Sequence, residues 1–189
     1  TGEYVKLFCA DDIMYPNCLR DLVAFSRLHK EYDVIFGDVE LTMAAARDLV
    51  KLMPEHDIII TAESKGIPLV CEMARQAGES TYVLARKAPK LYMKDIVSAK
   101  VKSITTAAQQ TLYIDGKDAE KMRGKKVVIV DDVISTGESL KAIEELVKTV
   151  GGEIVAEMAI LAEGDAIGRT DIKYLAELPL FNAEGDPIK

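Results

Sequence analysis

Residues 127–140 read VVIVDDVISTGESL, and this stretch decides how the rest of the chain is read. Four β-branched residues predict a buried strand, two adjacent carboxylates follow, and a Ser-Thr-Gly run opens a helix predicted over 139–150. A helix start carries first-turn N–H groups without intrahelical partners and the positive end of the dipole, so it suits an anion. Gly137 admits a phosphate close to the backbone, and the hydroxyls of Ser135, Thr136 and Ser139 add donors. Asp131 and Asp132 can accept hydrogen bonds from vicinal hydroxyls or hold a divalent cation. A sugar phosphate matches that order of groups. On local chemistry alone, the same letters also describe a strand end followed by an ordinary helix cap. Neither GxxxxGK[ST] nor GxGxxG is present, so a P-loop and a dinucleotide loop are set aside.

Outward from this stretch, strands and helices alternate. A helix is predicted over 17–28 with Asn17 as its cap, and a strand around 34–36. Thr42 is read as the cap of a helix over 43–53 that Pro54 stops. A strand at 57–61, the loop AESKG at 62–66, a helix ending at Gly78 and a strand at 81–86 follow. Beyond the opening stretch come Gly151-Gly152 as a stop, a strand at 153–163 and a short one at 172–178. This alternation predicts an α/β fold, a doubly wound parallel sheet covered on both faces. Right-handed crossovers would gather the loops at 62–66, 85–87 and 131–139 along the carboxyl edge, where such sheets bind ligands. Residues 87–125 break the rhythm, being polar and lysine-rich, with β-like pieces at 99–104 and 110–114 and a turn at Asp115-Gly116. A stretch of that length inside a compact domain is usually functional or disordered.

The 189 residues suffice for one domain with a real core. A formal net charge of −7 argues against non-specific nucleic-acid binding, which needs a basic face. Cys9, Cys18 and Cys71 show no CxxC spacing, so neither a disulfide framework nor a zinc site is suggested. His29 and His56 have no ligand-like neighbours. Apolar runs fall far short of the ~20 residues of a membrane span. No signal peptide pattern opens the chain at Thr1, and a cytoplasmic location is expected.

The string at 127–140 closely resembles the phosphoribosyl-pyrophosphate (PRPP) signature of type I phosphoribosyltransferases. Further segments resemble adenine phosphoribosyltransferases in the same order: IFGDVEL (35–41), AESKGIPL (62–69), RKAPKLYMKDIVSAKVKS (86–103) and TLYIDGKDAE (111–120). The chain departs from that pattern in three places. Lys65 stands where the family has arginine, ITTAAQQ (104–110) is longer than usual, and Tyr113-Ile114-Asp115 replaces a lid motif containing glutamate. Asp115 is therefore given no catalytic role.

The resemblance implies one domain over 1–189, with a helical hood segment at 1–30, a core at 31–163, a mobile lid at 88–113 and a C-terminal strand and hood at 164–189. It implies that Asp131 and Asp132 meet the ribose hydroxyls with Mg2+, and that Val133, Ile134, Ser135, Thr136, Gly137, Glu138 and Ser139 hold the 5-phosphate. Glu63, Ser64, Lys65 and Gly66 would face pyrophosphate, with Arg86, Lys87, Lys90 and nearby Lys94. Family members often hold a non-proline cis peptide in the loop at 62–66. Phe36, Ile134 and Phe181 are the candidates for base contact. The implied activity is transfer of the 5-phosphoribosyl group from PRPP to a purine, adenine favoured. Hypoxanthine, guanine or xanthine as the base, and a PRPP-sensing regulator without transfer, are the alternatives. A homodimer is implied, with no nucleic-acid or membrane partner.

Overall fold

The computed structural model describes residues 39–102, 109–181 and 187–188. The expected helix at 17–28, the strand at 34–36 with Phe36, the hood segment at 1–30 with His29, and the insertion centre at 103–108 lie outside the described residues. The described chain opens with helix α1 (Val39–Leu52), strand β1 (Ile58–Ala62), helix α2 (Gly66–Ala77) and strand β2 (Val83–Ala85). A hairpin of β3 (Val97–Lys102) and β4 (Gln109–Ile114) follows, then helix α3 (Gly116–Met122), strand β5 (Lys126–Ile134) and helix α4 (Glu138–Val150). Strand β6 (Glu153–Glu163), a 3-10 turn (Gly164–Ala166) and β7 (Lys173–Leu178) complete the sheet. A small antiparallel pair, β8 (Leu180–Phe181) and β9 (Pro187–Ile188), lies beyond it.

The sheet runs β2-β1-β5-β6-β7, and every pairing within it is parallel. All five residues of β1 are buried, as an uninterrupted apolar run requires when both faces are covered. Alternation along β5 divides the core. Val128 and Val130 face Ala46 and Leu49 of α1 and Leu69, Val70 and Met73 of α2. Val127 and Ile129 face Ile143, Leu146 and Val147 of α4, joined by Leu112 and Ile114 of β4 and Met122 of α3. Each such aliphatic side chain contributes roughly 1.5–3 kcal/mol by leaving water. The chain steps outward from β1 to β2, then returns to β5 and continues to β6 and β7. The expected doubly wound sheet is therefore present, and its winding reverses between β1 and β5.

Three local expectations change. Thr42 lies inside α1 rather than capping it, a position its hydroxyl tolerates. β5 does not stop before the aspartates but runs through them to Ile134, because the 11-residue β6 offers partners, pairing Asp131 with Ala159 and Ile134 with Ala162. The turn at Asp115-Gly116 is the start of α3, where the Asp115 side chain caps the helix by accepting the Lys117 N–H at 2.9 Å. His56 is held between two oxygens, Nδ1 2.8 Å from the Pro54 carbonyl and Nε2 2.6 Å from Glu79 Oε1. Among the described residues no helix is long and apolar enough to cross a membrane.

Candidate active site

Strands β1, β2 and β5 end side by side, and their loops carry most of the residues singled out from the sequence. The Asp132 N–H donates to Asp131 Oδ1 at 2.9 Å. Burial, with the hydrogen bond and charge of Asp132 added, pushes the Asp131 carboxyl up to about 7, against the opposing Asp132 N–H and the Lys87 cation. The loops after β2 and β5 are thus close enough to act on one another electrically. Gly66, the first residue of α2, completes the junction. A Cβ there would lie 2.2 Å from Thr61 Oγ1 and 3.5 Å from Asp131 Oδ1, so glycine alone lets α2 start directly on the end of β1.

Past β5 the chain makes the turn to α4. Gly137 adopts φ 76°, the left-handed region that favours glycine, and its carbonyl accepts the first helical bond from Lys141 N–H at 2.9 Å. The start of α4 consequently opens at the same edge as the two aspartates. Val133, Ser135 and Glu138 are half-buried, while Thr136 and Ser139 are exposed. Ile134, expected as a base contact, is 3% exposed and belongs to the main core. Phe181 lies in β8, at the far end of the described chain.

The loop after β1 holds a cis peptide bond between Glu63 and Ser64. Glu63, expected to face pyrophosphate, has its N–H taken up by the Ala85 carbonyl at 2.9 Å. Its carboxylate accepts the Lys87 N–H at 2.7 Å and lies 3.4 Å from Arg86 Nη1 and 3.6 Å from Lys90 Nζ. Burial raises this carboxyl, but the Lys87 N–H and the Lys90 and Arg86 charges outweigh it and hold the group below its ordinary value. Arg86 is fixed in turn by two backbone hydrogen bonds with Tyr113 of β4, each 2.8 Å. Ser64, Lys65 and Lys87 are exposed at the same rim. Lys94 is placed differently. Its N–H donates to Asp115 Oδ2 at 2.9 Å, so Asp115, held low by the Lys117 and Lys94 N–H groups, joins the segment before β3 to α3.

Sequence reasoning missed a charged group on the connection from β6 to β7. Arg169 and Asp171 form a two-bonded ion pair there, near Glu157 of β6. Burial, assisted by the charges of Glu144 and Asp171, pushes the Glu157 carboxyl up to about 7 against the pull of Arg169 and Lys148. Nothing in the GRTD letters marks them, because no motif governs that connection.

The profile of the phosphoribosyl transferase domain matches residues 31–178. A hypoxanthine/guanine phosphoribosyltransferase of Methanococcus maripaludis (strain C6) is 35% identical over 127 residues, covering 67% of this chain and 64% of that protein. The chain thus spans slightly less than two thirds of that relative's length. An adenine phosphoribosyltransferase of Butyrivibrio fibrisolvens is 31% identical over 149 residues, covering 78% of this chain and 79% of that protein. In overall fold the chain is similar to the crystal structure of an adenine phosphoribosyltransferase from Thermoanaerobacter pseudethanolicus. The TM-score is 0.64 at 24% identity, over 75% of this chain and 83% of that one.

Proposed function

Because the chain belongs to the phosphoribosyl transferase domain family, we propose that it transfers the 5-phosphoribosyl group of PRPP to a purine nitrogen and releases pyrophosphate. The observation that carries this reading is the position of DDVISTGES. It lies at the carboxyl end of β5, beside the reversal of winding between β1 and β5, where open α/β sheets bind their ligands.

In the reaction the bond from C1 of the ribosyl group to pyrophosphate oxygen breaks with its electron pair leaving on pyrophosphate, a bond from C1 to a base nitrogen forms, and the proton of that nitrogen passes to water. Positive charge builds on the sugar as the leaving group departs, so catalysis is positioning and charge stabilisation. Asp131 and Asp132 accept hydrogen bonds from the ribose hydroxyls. The backbone and hydroxyl groups at 135–139 hold the 5-phosphate. Lys65, Arg86, Lys87 and Lys90 face the pyrophosphate, with Ser64 and Gly66 lining its approach. Glu63 orders these cations rather than touching the anion, as its bonds to the Lys87 N–H and Arg86 suggest.

The adjacent acids are hard oxygen donors suited to Mg2+. Among the described residues no group of three or more His, Cys, Asp or Glu could hold a metal by itself. Asp131 and Asp132 would therefore share the ion with substrate oxygens, and its charge would neutralise the leaving pyrophosphate. Residues 88–113 act as the lid in this reading, within a single domain.

Adenine is the favoured base, from the order of segments in the sequence and the fold likeness to adenine enzymes. The 35% identity to the hypoxanthine/guanine enzyme favours a second reading, those bases instead. A homodimer in the cytoplasm is the proposed assembly, which light scattering during gel filtration tests for size. Function is tested by pyrophosphate release from Mg2+-PRPP with adenine, hypoxanthine, guanine and xanthine in turn. Adenine should exceed the others by about tenfold or more in kcat/KM. A preference for hypoxanthine or guanine supports the second reading, and release with no base overturns transfer in favour of PRPP sensing.

A further inference from the structure

Between Asp131 and Leu140 the chain carries three carboxylates, Asp131, Asp132 and Glu138, and no cation. A phosphate monoester held at 135–139 would therefore sit among acids, with the dipole end and first-turn N–H groups of α4 alone to offset them, unless another element supplied a full positive charge. The connection from β6 to β7 does so. Residues 164–172 join two neighbouring parallel strands with one 3-10 turn and no α-helix, shorter than the usual crossover. Ala166 and Ile172, both buried in the core shared with α4, draw the connection onto the α4 side of the sheet. Backbone and side-chain bonds then set its shape, Arg169 N–H to Ala166 carbonyl at 3.2 Å and Gly168 N–H to Tyr174 Oη at 3.0 Å.

This shape brings a guanidinium to the loop before α4. Arg169 donates from Nε and Nη2 to the two oxygens of Asp171 at 2.9 and 2.6 Å. The third nitrogen, Nη1, lies 3.1 Å from where a Cβ on Gly137 would be. Two of the three nitrogens are thus occupied by an anchoring carboxylate, and the remaining one is turned to the loop. Arginine stays charged at any working pH, and its planar fork fixes direction as well as charge.

We infer that Arg169, oriented by Asp171, is a further ligand of the 5-phosphate, approaching the 135–139 loop from the side opposite the pyrophosphate cations. The inference rests on the transferase reading above and adds to it a residue from outside the signature. Asp171 is the positioning residue. It partly offsets the charge of Arg169 and in return holds the guanidinium in one orientation. Gly137 is favoured by its backbone conformation, and a Cβ there would press on Nη1, which would have to shift by a few tenths of an ångström.

The experiment measures binding of ribose 5-phosphate and of pyrophosphate, each with Mg2+, to the full chain and to R169Q by calorimetry. R169Q should weaken ribose 5-phosphate by about tenfold or more, the loss of a charge-assisted bond, while pyrophosphate changes by less than about twofold. A loop staple with no ligand role would weaken both equally or neither, and either result overturns the inference. R169M, which keeps the aliphatic stem, carries the same expectation and the same overturning result should R169Q melt early. Failure of the unaltered chain to bind ribose 5-phosphate and PRPP at all would overturn the transferase reading itself, which R169Q alone cannot do.

Discussion

The Glu63 carboxylate accepts the Lys87 N–H at 2.7 Å and draws Arg86 and Lys90 to its other oxygen, so an acid in the loop after β1 organises the cations that follow β2. Two opposed effects meet in that contact, and two substitutions separate them. E63Q keeps an acceptor for the Lys87 N–H and removes a negative charge, so pyrophosphate should bind about threefold tighter, the scale of a partly exposed charge pair. E63A removes the acceptor as well and should weaken pyrophosphate. Product-inhibition constants measure both, and a tighter E63A would contradict the ordering role.

Asp131 and Asp132 are the groups whose loss should cost most in turnover. D131N and D132N should each lower kcat/KM for PRPP by about a hundredfold or more, the scale of losing a group aimed at the reacting centre. The fold should survive, since both residues are only half-buried, near the carboxyl end of β5. Circular dichroism of the same preparations checks the second point.

Stability should depend on pH through two carboxyls. Asp131 and Glu157 ordinarily titrate at 3.8 and 4.5, and in the fold both are pushed up to about 7. A raised carboxyl favours the folded state when protonated. Its contribution is complete below the unfolded value and is lost as pH rises through the folded one. The ligand-free protein should therefore lose stability between about pH 4 and about 7, with the Asp131 share on the order of 2 kcal/mol once solvent access is allowed for. Below that window the opposite group takes over. Glu63 and Asp171, both held low, lose their favourable pairing on acidification. Thermal melts across pH should slope less in D131N/E157Q, and parallel curves would count against the assignment.

Gly66 gives a packing prediction. G66A places a Cβ 2.2 Å from Thr61 Oγ1 and should destabilise the protein by about 1–3 kcal/mol. T61A removes that hydroxyl, so T61A/G66A should recover much of the loss. A double-mutant cycle in urea reads the coupling directly. Additive losses would mean that α2 shifts as a unit instead.

How far the sequence led is clearest along β5. The residues at 127–140 foretold a strand, an acid pair and a helix start, since each depends on local chemistry. That the strand continues through Asp131 to Ile134 was not legible, because it depends on pairing with β6, more than 20 residues later. Helix α3 was missed because seven residues with only Ala119 and Met122 buried leave too little periodicity to read. Arg169 was invisible for a stronger reason. Its meeting with Gly137 is set by how Ala166 and Ile172 seat the connection in the core, and neither residue signals that in the chain.

Strand β2 is three residues long and stands at the margin of the sheet. Such a margin offers unpaired peptide groups to any passing extended chain, the usual seed of aggregation. Here the backbone just past it turns into the antiparallel bridge between Arg86 and Tyr113. The hairpin thus acts as a selvage, finishing the cloth where it would otherwise fray. Cutting it away would leave Arg86 unaimed and the margin sticky in the same stroke, so loss of catalysis and loss of solubility should arrive together.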